Sequence, residues 1–317
     1  MGFPSEYYYL KVGRASDLEK KWERAVYRAL EIFPGALAWA TLALVVFLSW
    51  LTPVFIAFFI IAFDMYWLLK TMYLSLHLRA AFRQVRENAK VNWFEKLQAE
   101  KPQWEEYEHL ILLPFYKEGW EVIAASLASL EKANYPKEKM LVVLAAEERA
   151  GEEAQKIAAR AAREFGNRFS AFLVTMHPQD IPGEVAGKGA NIHCAAKKAK
   201  EELIDKRGID ASKVLVSAFD IDTAVWPEYF SRLLWVYLST PTPERKSYQP
   251  VPFYINNIWH APAFARVISF SATFWHTLQQ ERPERMTTFS SHSMPLSALM
   301  DVDYWQTNVV SEDSRIF

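Results

Sequence analysis

The chain has 317 residues, a formal net charge of −1 and a single cysteine, Cys194. Its length suits one large domain or two ordinary ones. The balanced charge, with no basic stripe interleaved with aromatics, argues against nucleic acid as a partner. One cysteine excludes an internal disulfide framework and any metal site built from several cysteines.

A long apolar segment occupies residues 35–78. It has no charged residue from Gly35 to Phe63, and its apolar character resumes after Asp64. As one helix it would be roughly 65 Å long, about twice the hydrocarbon thickness of a bilayer. We therefore predict a transmembrane hairpin with spans at about 35–51 and 54–77, turning near Pro53, because proline disfavours helix at the preceding residue. The alternative is a buried hairpin of a soluble protein.

Both flanks of this hairpin are basic, whereas its turn carries no charge. By the positive-inside rule both ends face the cytoplasm, which predicts a multi-pass protein of the plasma membrane with a cytoplasmic main domain. The lipid bilayer is then a partner. The basic residues are Lys11, Arg14, Lys20, Lys21, Arg24, Arg28, Arg79, Arg83, Arg86 and Lys90.

The segments on either side of the hairpin are predicted as helical. Residues 1–34 form a cytoplasmic N-terminal segment whose amphipathic helix, residues 17–33, has capping-box spacing at Ser16 and Glu19. This helix could lie in the headgroup layer or pack on the main domain. Residues 79–107 are predicted as a linker helix.

Short apolar runs alternate with helical segments from residue 108 onward. Such runs, apolar throughout and joined by helices, predict an α/β domain over residues 108–317 with a mostly parallel, Rossmann-like sheet and helices on both faces. Ligands bind beyond the carboxyl ends of the strands in sheets of this kind. The predicted strands cover residues 109–115, 140–146, 170–176 and 213–219, and the predicted helices residues 119–133, 152–165 and 190–205.

Two carboxylates, Asp220 and Asp222, follow the last of these strands. Carboxylates one residue apart can hold Mg²⁺ or Mn²⁺, whose other ligands are water and substrate phosphates. Upstream, Gly187 and Gly189 flank Lys188 just before a predicted helix. Glycines let a ligand approach the backbone closely, and a helix amino end favours anions. Taken alone, a solvated turn and a flexible loop explain the same residues.

Five segments, in order, resemble the family 2 glycosyltransferases, which share the GT-A nucleotide-sugar-binding fold. "LLPFYKE" (112–118) is similar to the family's opening strand and loop, and "SLEKANYP" (129–136) to the segment before its second strand. "GKGANIHCA" (187–195) resembles its GKAGALNAA segment, and "FDIDT" (219–223) its LDADT metal motif. "SEDSRIF" (311–317) resembles the TED motif that holds the acceptor-side aspartate.

The resemblance implies an enzyme, a membrane-anchored inverting glycosyltransferase of GT-A fold that acts in polysaccharide or glycolipid biosynthesis. It would transfer a sugar from a nucleotide-diphosphate sugar, with UDP favoured, to a saccharide or lipid-linked acceptor. The resemblance also implies Mg²⁺ or Mn²⁺ at Asp220 and Asp222, and Asp313 as general base with Glu312 beside it. The residues implied in nucleotide-sugar binding are Pro114, Tyr116, Glu118, Glu147, Lys188, Asn191 and Asp220.

Departures from the family pattern keep an alternative open. The aspartate-rich turn after the second strand is replaced by "LAAEERA" (144–150), which leaves the choice between Glu147 and Glu148 open. The glycine-rich acceptor stretch is missing before residue 311, and the chain stops four residues after Asp313. The alternative is a catalytically weak nucleotide-sugar-binding membrane subunit of a polysaccharide or glycolipid assembly. A nucleotidyltransferase is a more distant third, since the 311–317 motif would then have no role.

Two further features have both a functional and a structural explanation. His292 lies upstream of the 311–317 motif and is the one histidine with a suggestive position. Residues 248–266 mix prolines with asparagines and aromatics, which predicts an edge or loop segment. That segment forms either an acceptor- or sugar-binding wall or structural filling.

Overall fold

The computed structural model describes residues 12–256, 258–259, 261–280 and 290–316. Lys11, one of the basic residues that flank the apolar segment, and Phe317, the last residue of the 311–317 motif, lie outside the described residues. The chain forms two compact units, residues 1–83 and 84–317.

Two long helices dominate the first unit. Helix α1 spans Lys21–Leu51 and α2 spans Pro53–Asn88, with Thr52 alone between them. The break follows from Pro53, which restricts the preceding residue; Thr52 has φ −138° and ψ 63°, outside the helical region. Both helices are long and apolar enough to cross a bilayer, and almost none of either apolar window is buried.

The ends of these helices differ from the prediction. The helix expected to begin at Asp17 begins at Lys21, because the Asp17 carboxylate accepts hydrogen bonds from the amides of Gly13 and Arg14, at 2.9 and 3.0 Å. Helix α1 then continues through Pro34, so the amphipathic and apolar segments form one helix.

The predicted linker helix is divided into two pieces. Its first part belongs to α2, which ends at Asn88. A separate short helix, α3, spans Trp93–Glu100, and the side chain of Asn92 caps it by accepting a hydrogen bond from the amide of Glu95 at 3.3 Å. Leu97 on α3 is fully buried, so α3 is part of the core of the second unit.

A five-stranded sheet forms the centre of the second unit. Its strands are β1 Glu108–Phe115, β2 Met140–Glu147, β3 Ala171–His177, β4 Val214–Ala218 and β5 His292–Pro295. They lie in the order β3-β2-β1-β4-β5; β1 to β4 are parallel, and β5 pairs antiparallel with β4. The expected α/β architecture with a mostly parallel sheet is therefore confirmed.

Helices cover both faces of this sheet. Because side chains alternate along a strand, Ile111 and Leu113 of β1 pack into one hydrophobic cluster, while Leu110 and Leu112 pack into the other. The helices are α4 Trp120–Glu131, α5 Glu152–Phe165, α6 Lys188–Ala199, α7 Tyr229–Ser239, α8 Ala263–Gln279, α9 Leu296–Asp301 and α10 Glu312–Arg315. Helices α4, α5 and α7 contribute to the first cluster, and α6 and α9 to the second.

Most of the residues predicted to form the site follow strands that end at one edge of the sheet. The carboxyl ends of the four parallel strands lie at this edge, and the antiparallel β5 begins there, with His292 opposite Ala218 of β4. Residues that follow β1 to β4, together with the first residue of β5, therefore converge on it. We call it the carboxyl edge.

Candidate functional site

Lys188, the first residue of α6, connects three segments at the carboxyl edge. Its Nζ lies 2.9 Å from Oδ1 of Asp220 and 3.5 Å from Oδ2 of Asp313. The same Nζ donates a hydrogen bond to the main-chain carbonyl of Ser290 at 2.6 Å. The segments that resemble the GKAGALNAA, LDADT and TED motifs therefore meet around one ammonium group.

Asp313 also faces a buried histidine. Nδ1 of His292 lies 3.5 Å from Oδ1 of Asp313, and the indole N–H of Trp305 donates a hydrogen bond to Nε2 of His292 at 3.3 Å. Because the indole nitrogen can only donate, Nε2 is the acceptor and the proton of the neutral ring is on Nδ1, towards Asp313. The carboxylate thus has an ammonium group on one side and an imidazole N–H on the other.

Asp220 and Asp222 leave the sheet directly after β4, as predicted from the sequence. The side chain of Asp222 is exposed to solvent, yet partial desolvation by the surrounding protein and the negative charge of Asp220 both raise its pKa. Tyr254 faces the same pair, and burial together with the two carboxylates raises the pKa of its hydroxyl. The side-chain amide of Asn256 donates to the main-chain carbonyl of Asp222 at 2.8 Å.

The donor set of this aspartate pair fits a hard divalent cation. Asp220 and Asp222 supply carboxylate oxygens, the ligands that Mg²⁺ and Mn²⁺ prefer. A cation would relieve the repulsion from Asp220, which after desolvation is the second cause of the raised pKa of Asp222. Among the residues that the structure describes, no three His, Cys, Asp or Glu side chains form a group that could hold a metal. The two aspartates would therefore share an ion with phosphate oxygens and water, as is common for Mg²⁺.

Glu312 lies buried against the start of α6. A Cβ atom on Gly189 would come within 2.9 Å of Cβ of Glu312 and 3.2 Å of the carbonyl oxygen of Gln306. Only a glycine permits this approach. Burial, followed by the charge of Asp313, raises the pKa of the Glu312 carboxyl. Gly189 thus allows α10 to dock on α6, which holds Asp313 next to Lys188.

A second polar cluster lies where β2 and β3 end, around a pocket of about 130 Å³. Glu147, the buried last residue of β2, forms an ion pair with Arg149. The guanidinium carbon of Arg149 lies 4.4 Å from the centre of the Tyr116 ring. His177 pairs with Glu147 across the two strands, and its Nε2 lies 3.0 Å from an oxygen of Glu184. The pocket lining includes Glu147, Arg149, His177, Gln179, Asp180 and Glu184.

The two glutamates that the sequence left open occupy different environments. Glu147 is buried at the end of β2 and lines this pocket, whereas Glu148 is exposed and accepts a hydrogen bond from the amide of Gln179 at 3.1 Å. Glu147 therefore remains the better candidate for a nucleotide contact.

Three other residues predicted to bind the nucleotide sugar make internal contacts, or are buried, near the carboxyl edge. The Glu118 carboxylate accepts hydrogen bonds from the amides of Tyr116 and Lys117, at 2.7 and 3.1 Å, and so holds its own loop. Pro114 is buried in β1. Asn191 is buried on α6, where its side-chain amide donates to the carbonyl of β2 residue Ala145 at 2.8 Å. Direct contact of Pro114, Glu118 or Asn191 with a nucleotide stays a prediction.

Several residues of the edge could not be found from the sequence. Strand β5 is only four residues long, "HSMP", and lacks the alternating pattern that predicts a strand, so the approach of His292 to Asp313 was not predictable. The one indication in the sequence was that His292 lies upstream of the 311–317 motif. The other residues missed are Arg149, His177, Tyr254, Asn256, Ser290 and Trp305.

No protein-family model matches the chain, and no curated protein matches it. Among solved structures, it is similar to the mannosyltransferase PcManGT from Pyrobaculum calidifontis in complex with GDP-Man and Mn²⁺. The two are 14% identical over 77% of this chain and 62% of that chain, with a TM-score of 0.47.

The chain is also similar to S. aureus TarS 1–349. The identity is 16% over 66% of this chain and 53% of that chain, with a TM-score of 0.38. A TarS 1–349 structure in complex with UDP-GlcNAc gives 14% identity, 66% and 51% coverage, and a TM-score of 0.36. The chain thus spans less than two thirds of the length of these proteins. Identities and TM-scores this low do not establish a shared activity.

Proposed function

We propose that the chain is a membrane-anchored glycosyltransferase of the GT-A type that uses a nucleotide-diphosphate sugar as donor. One observation carries the proposal: Lys188 lies within 2.9 Å of Asp220 and 3.5 Å of Asp313. The ammonium group of Lys188 thus lies next to Asp220, which is suited to hold a metal at a diphosphate leaving group, and next to Asp313, which is suited to take up a proton. The ordered family motifs, which supply all three residues, support the same function.

The leaving group is a nucleoside diphosphate. Its bond to the anomeric carbon breaks, and negative charge grows on the departing phosphate oxygen. A divalent cation held by Asp220 and Asp222 would neutralise that charge as a Lewis acid. Lys188 adds a fixed positive charge beside Asp220, and a positioned cation of this kind favours the charge that develops in the transition state.

The acceptor hydroxyl forms the new bond to the anomeric carbon, and its proton passes to Asp313. General-base assistance of this kind contributes typically ~10²–10⁴-fold to the rate. His292, whose Nδ1 lies 3.5 Å from Oδ1 of Asp313, packs beside the base and is itself positioned by Trp305. Attack opposite the leaving group inverts the configuration of the sugar.

The donor nucleotide would occupy the pocket at the ends of β2 and β3. Glu147 and Arg149 line this pocket and offer hydrogen-bond partners for a base and ribose, and UDP is the nucleotide that the family motifs favour. Tyr116 adds an aromatic surface next to Arg149. The acceptor is a saccharide or a lipid-linked molecule.

Helices α1 and α2 would anchor the enzyme in a membrane. Their length, their apolar composition and their exposed side chains support two spans joined at Thr52. The basic flanks and the uncharged turn support a plasma-membrane protein with both ends of the hairpin, and hence the second unit, in the cytoplasm.

The direct test is release of nucleoside diphosphate from UDP- and GDP-sugars by the full chain in lipid nanodiscs, with Mn²⁺ or with a chelator. The proposal predicts release that needs the metal and increases when an acceptor is supplied. Metal-dependent binding of the nucleotide without release from any donor would favour the alternative, a binding subunit of an assembly. Absence of nucleotide binding with and without metal would contradict both.

A further inference from the structure

A helix on a water-soluble domain usually turns its apolar side towards the core, whereas α8 turns its apolar side outward. At about 100° per residue, Phe264, Ile268 and Trp275 lie along one side, with Val267 next to them. These four side chains are 77%, 53%, 45% and 64% exposed. Most of the opposite side is less exposed and consists of small and polar residues, among them Ala265, Ser269, Ala272, Thr273 and His276; Arg266 and Phe270 on that side are exposed as well. Apart from Phe274 and the buried Leu278 near its end, the large apolar residues of α8 therefore point outward.

The turn before α8 also exposes apolar side chains. Ile255 and Trp259 are also exposed, and Trp259 is among the most exposed aromatic residues described. So many large apolar side chains exposed within 21 residues of the chain indicate a site that contacts a partner or a membrane. We call Ile255, Trp259, Phe264, Val267, Ile268 and Trp275 the α8 surface.

Charge and length indicate which partner covers the α8 surface. Residues 251–280 contain a single charged residue, Arg266, and no acidic one. A polar protein partner would find almost no ion pairs there, whereas apolar side chains, tryptophans and a lone cation suit the boundary between acyl chains and anionic headgroups. With 17 residues, α8 is about 26 Å long, short of the ~30 Å hydrocarbon core, so it would lie on a bilayer rather than cross it.

We propose that the α8 surface docks on the lipid bilayer, with its apolar side chains at the headgroup boundary. The inference rests on the membrane anchoring proposed above for α1 and α2. Residues 248–266, whose role the sequence left open, would then lie between the membrane and the aspartate pair.

Two hydrogen bonds made by residues 254 and 256 connect helix α8 to the carboxyl edge. The amide N–H of Tyr254 donates to Oγ1 of Thr273 on α8 at 3.2 Å. The side chain of Asn256 donates to the main chain of Asp222 at 2.8 Å. Docking would therefore bring the aspartate pair close to the bilayer surface, where the head of an amphiphilic acceptor lies.

The test places single nitroxide labels on the full chain in vesicles of zwitterionic and anionic phospholipids. Cys194→Ala removes the only cysteine, after which Ile268→Cys carries the label on the α8 surface. Phe58→Cys on α2 is the lipid-facing control, and Glu153→Cys on α5, exposed in the structure, is the water-facing control. Power saturation with oxygen and with a water-soluble nickel complex distinguishes lipid from water around each label.

The inference predicts that the label at position 268 behaves like that at position 58, with oxygen relaxing it more than the nickel complex does. A label at 268 that behaves like that at 153 would overturn lipid docking while leaving the anchor intact. Protection from both reagents would also overturn it, since protein then covers the surface, and dipolar broadening would identify a second copy. Nickel access at position 58 would instead contradict the proposed anchor itself.

Discussion

The ammonium group of Lys188 lies 2.9 Å from a carboxylate oxygen of Asp220, although 32 positions separate the two residues in the sequence. One begins α6 and the other follows β4, and the parallel sheet brings these two places to the same edge. The pair links the loop suited to phosphates with the aspartates suited to a metal. Its behaviour when a nucleotide binds therefore tests both assignments.

Lys188→Ala should have opposite effects on two ligands. We expect nucleoside diphosphate to bind roughly ten- to a hundredfold more weakly, the equivalent of about 1.5–3 kcal/mol for a charge-assisted contact. Mn²⁺ alone should bind at least as well, because Asp220 loses the cation beside it. Isothermal titration of each ligand measures both effects.

Lys197→Ala is the matched control for this change. Lys197 lies on the same helix but pairs with Asp303 at 2.8 Å, with side chains 42% and 54% exposed, so neither ligand should bind differently. If Lys188→Ala binds nucleotide as tightly as Lys197→Ala does, the loop before α6 is only a connector.

Gly189→Ala should loosen the docking of α10 on α6. The added Cβ would lie 2.9 Å from Cβ of Glu312, an overlap that typically costs about 1–3 kcal/mol. The apparent Tm should fall by several degrees, and metal-dependent release should fall with it because Asp313 is displaced. Gly187→Ala, whose Cβ would meet nothing within 4 Å, should keep the Tm of the parent. Equal Tm values for the two variants would refute the close packing.

Asp313→Asn should separate binding from transfer. The amide keeps the shape but cannot take the proton of an acceptor hydroxyl, so turnover should fall by ~10²–10⁴-fold. Nucleotide and Mn²⁺ should still bind, since Asp220 and Asp222 are untouched. Asp303→Asn is the control, because Asp303 pairs with Lys197 at the surface. Unchanged turnover in Asp313→Asn would remove Asp313 as the base.

His109 should make the fold sensitive to acid. It is fully buried in β1, between the rings of Tyr135 and Phe230 at 4.8 and 5.1 Å, and neither ring nitrogen has a hydrogen-bond partner among the described residues. Burial lowers its pKa from 6.5 to about 3. The folded state therefore keeps it neutral, while the unfolded chain takes up a proton below pH ~6.5. Stability falls as the pH falls from there towards 3.

His109→Phe removes this contribution. We expect the wild type to lose about 2 kcal/mol more stability than the variant between about pH 7.5 and pH 5, from one group with this shift. Thermal unfolding of both proteins at the two pH values measures the difference. Equal losses would show that His109 is protonated in the folded state or not buried.

The sheet was largely predictable, because its four parallel strands are continuous apolar runs. Strand β2, for example, is buried at every position, and its predicted end at Ala146 differs from the structure by one residue. Asp220 and Asp222 were placed correctly after β4 for the same reason. The break between α1 and α2 followed from Pro53, a local effect that the sequence states directly.

The remaining features depend on long-range contacts. Strand β5 is short and forms only by pairing with β4, so neither its existence nor the approach of His292 to Asp313 could be predicted. The sequence did not show that Asn191 turns inward to Ala145. Helix α8 was not predicted, and the exposure of its apolar side could not be, because a sequence pattern does not state which side of a helix faces the core.

The measurement that tests the central claim most directly is release of nucleoside diphosphate by Asp222→Asn, compared with wild type over a range of Mn²⁺ concentrations. Asparagine keeps the size of this exposed side chain, so the Tm should not change. It removes one of two carboxylates that would hold the ion, so we predict that metal-dependent release falls by at least about a hundredfold, as for the loss of a key electrostatic contribution. Undiminished metal-dependent release by Asp222→Asn would contradict the metal assignment, and with it the proposed mechanism.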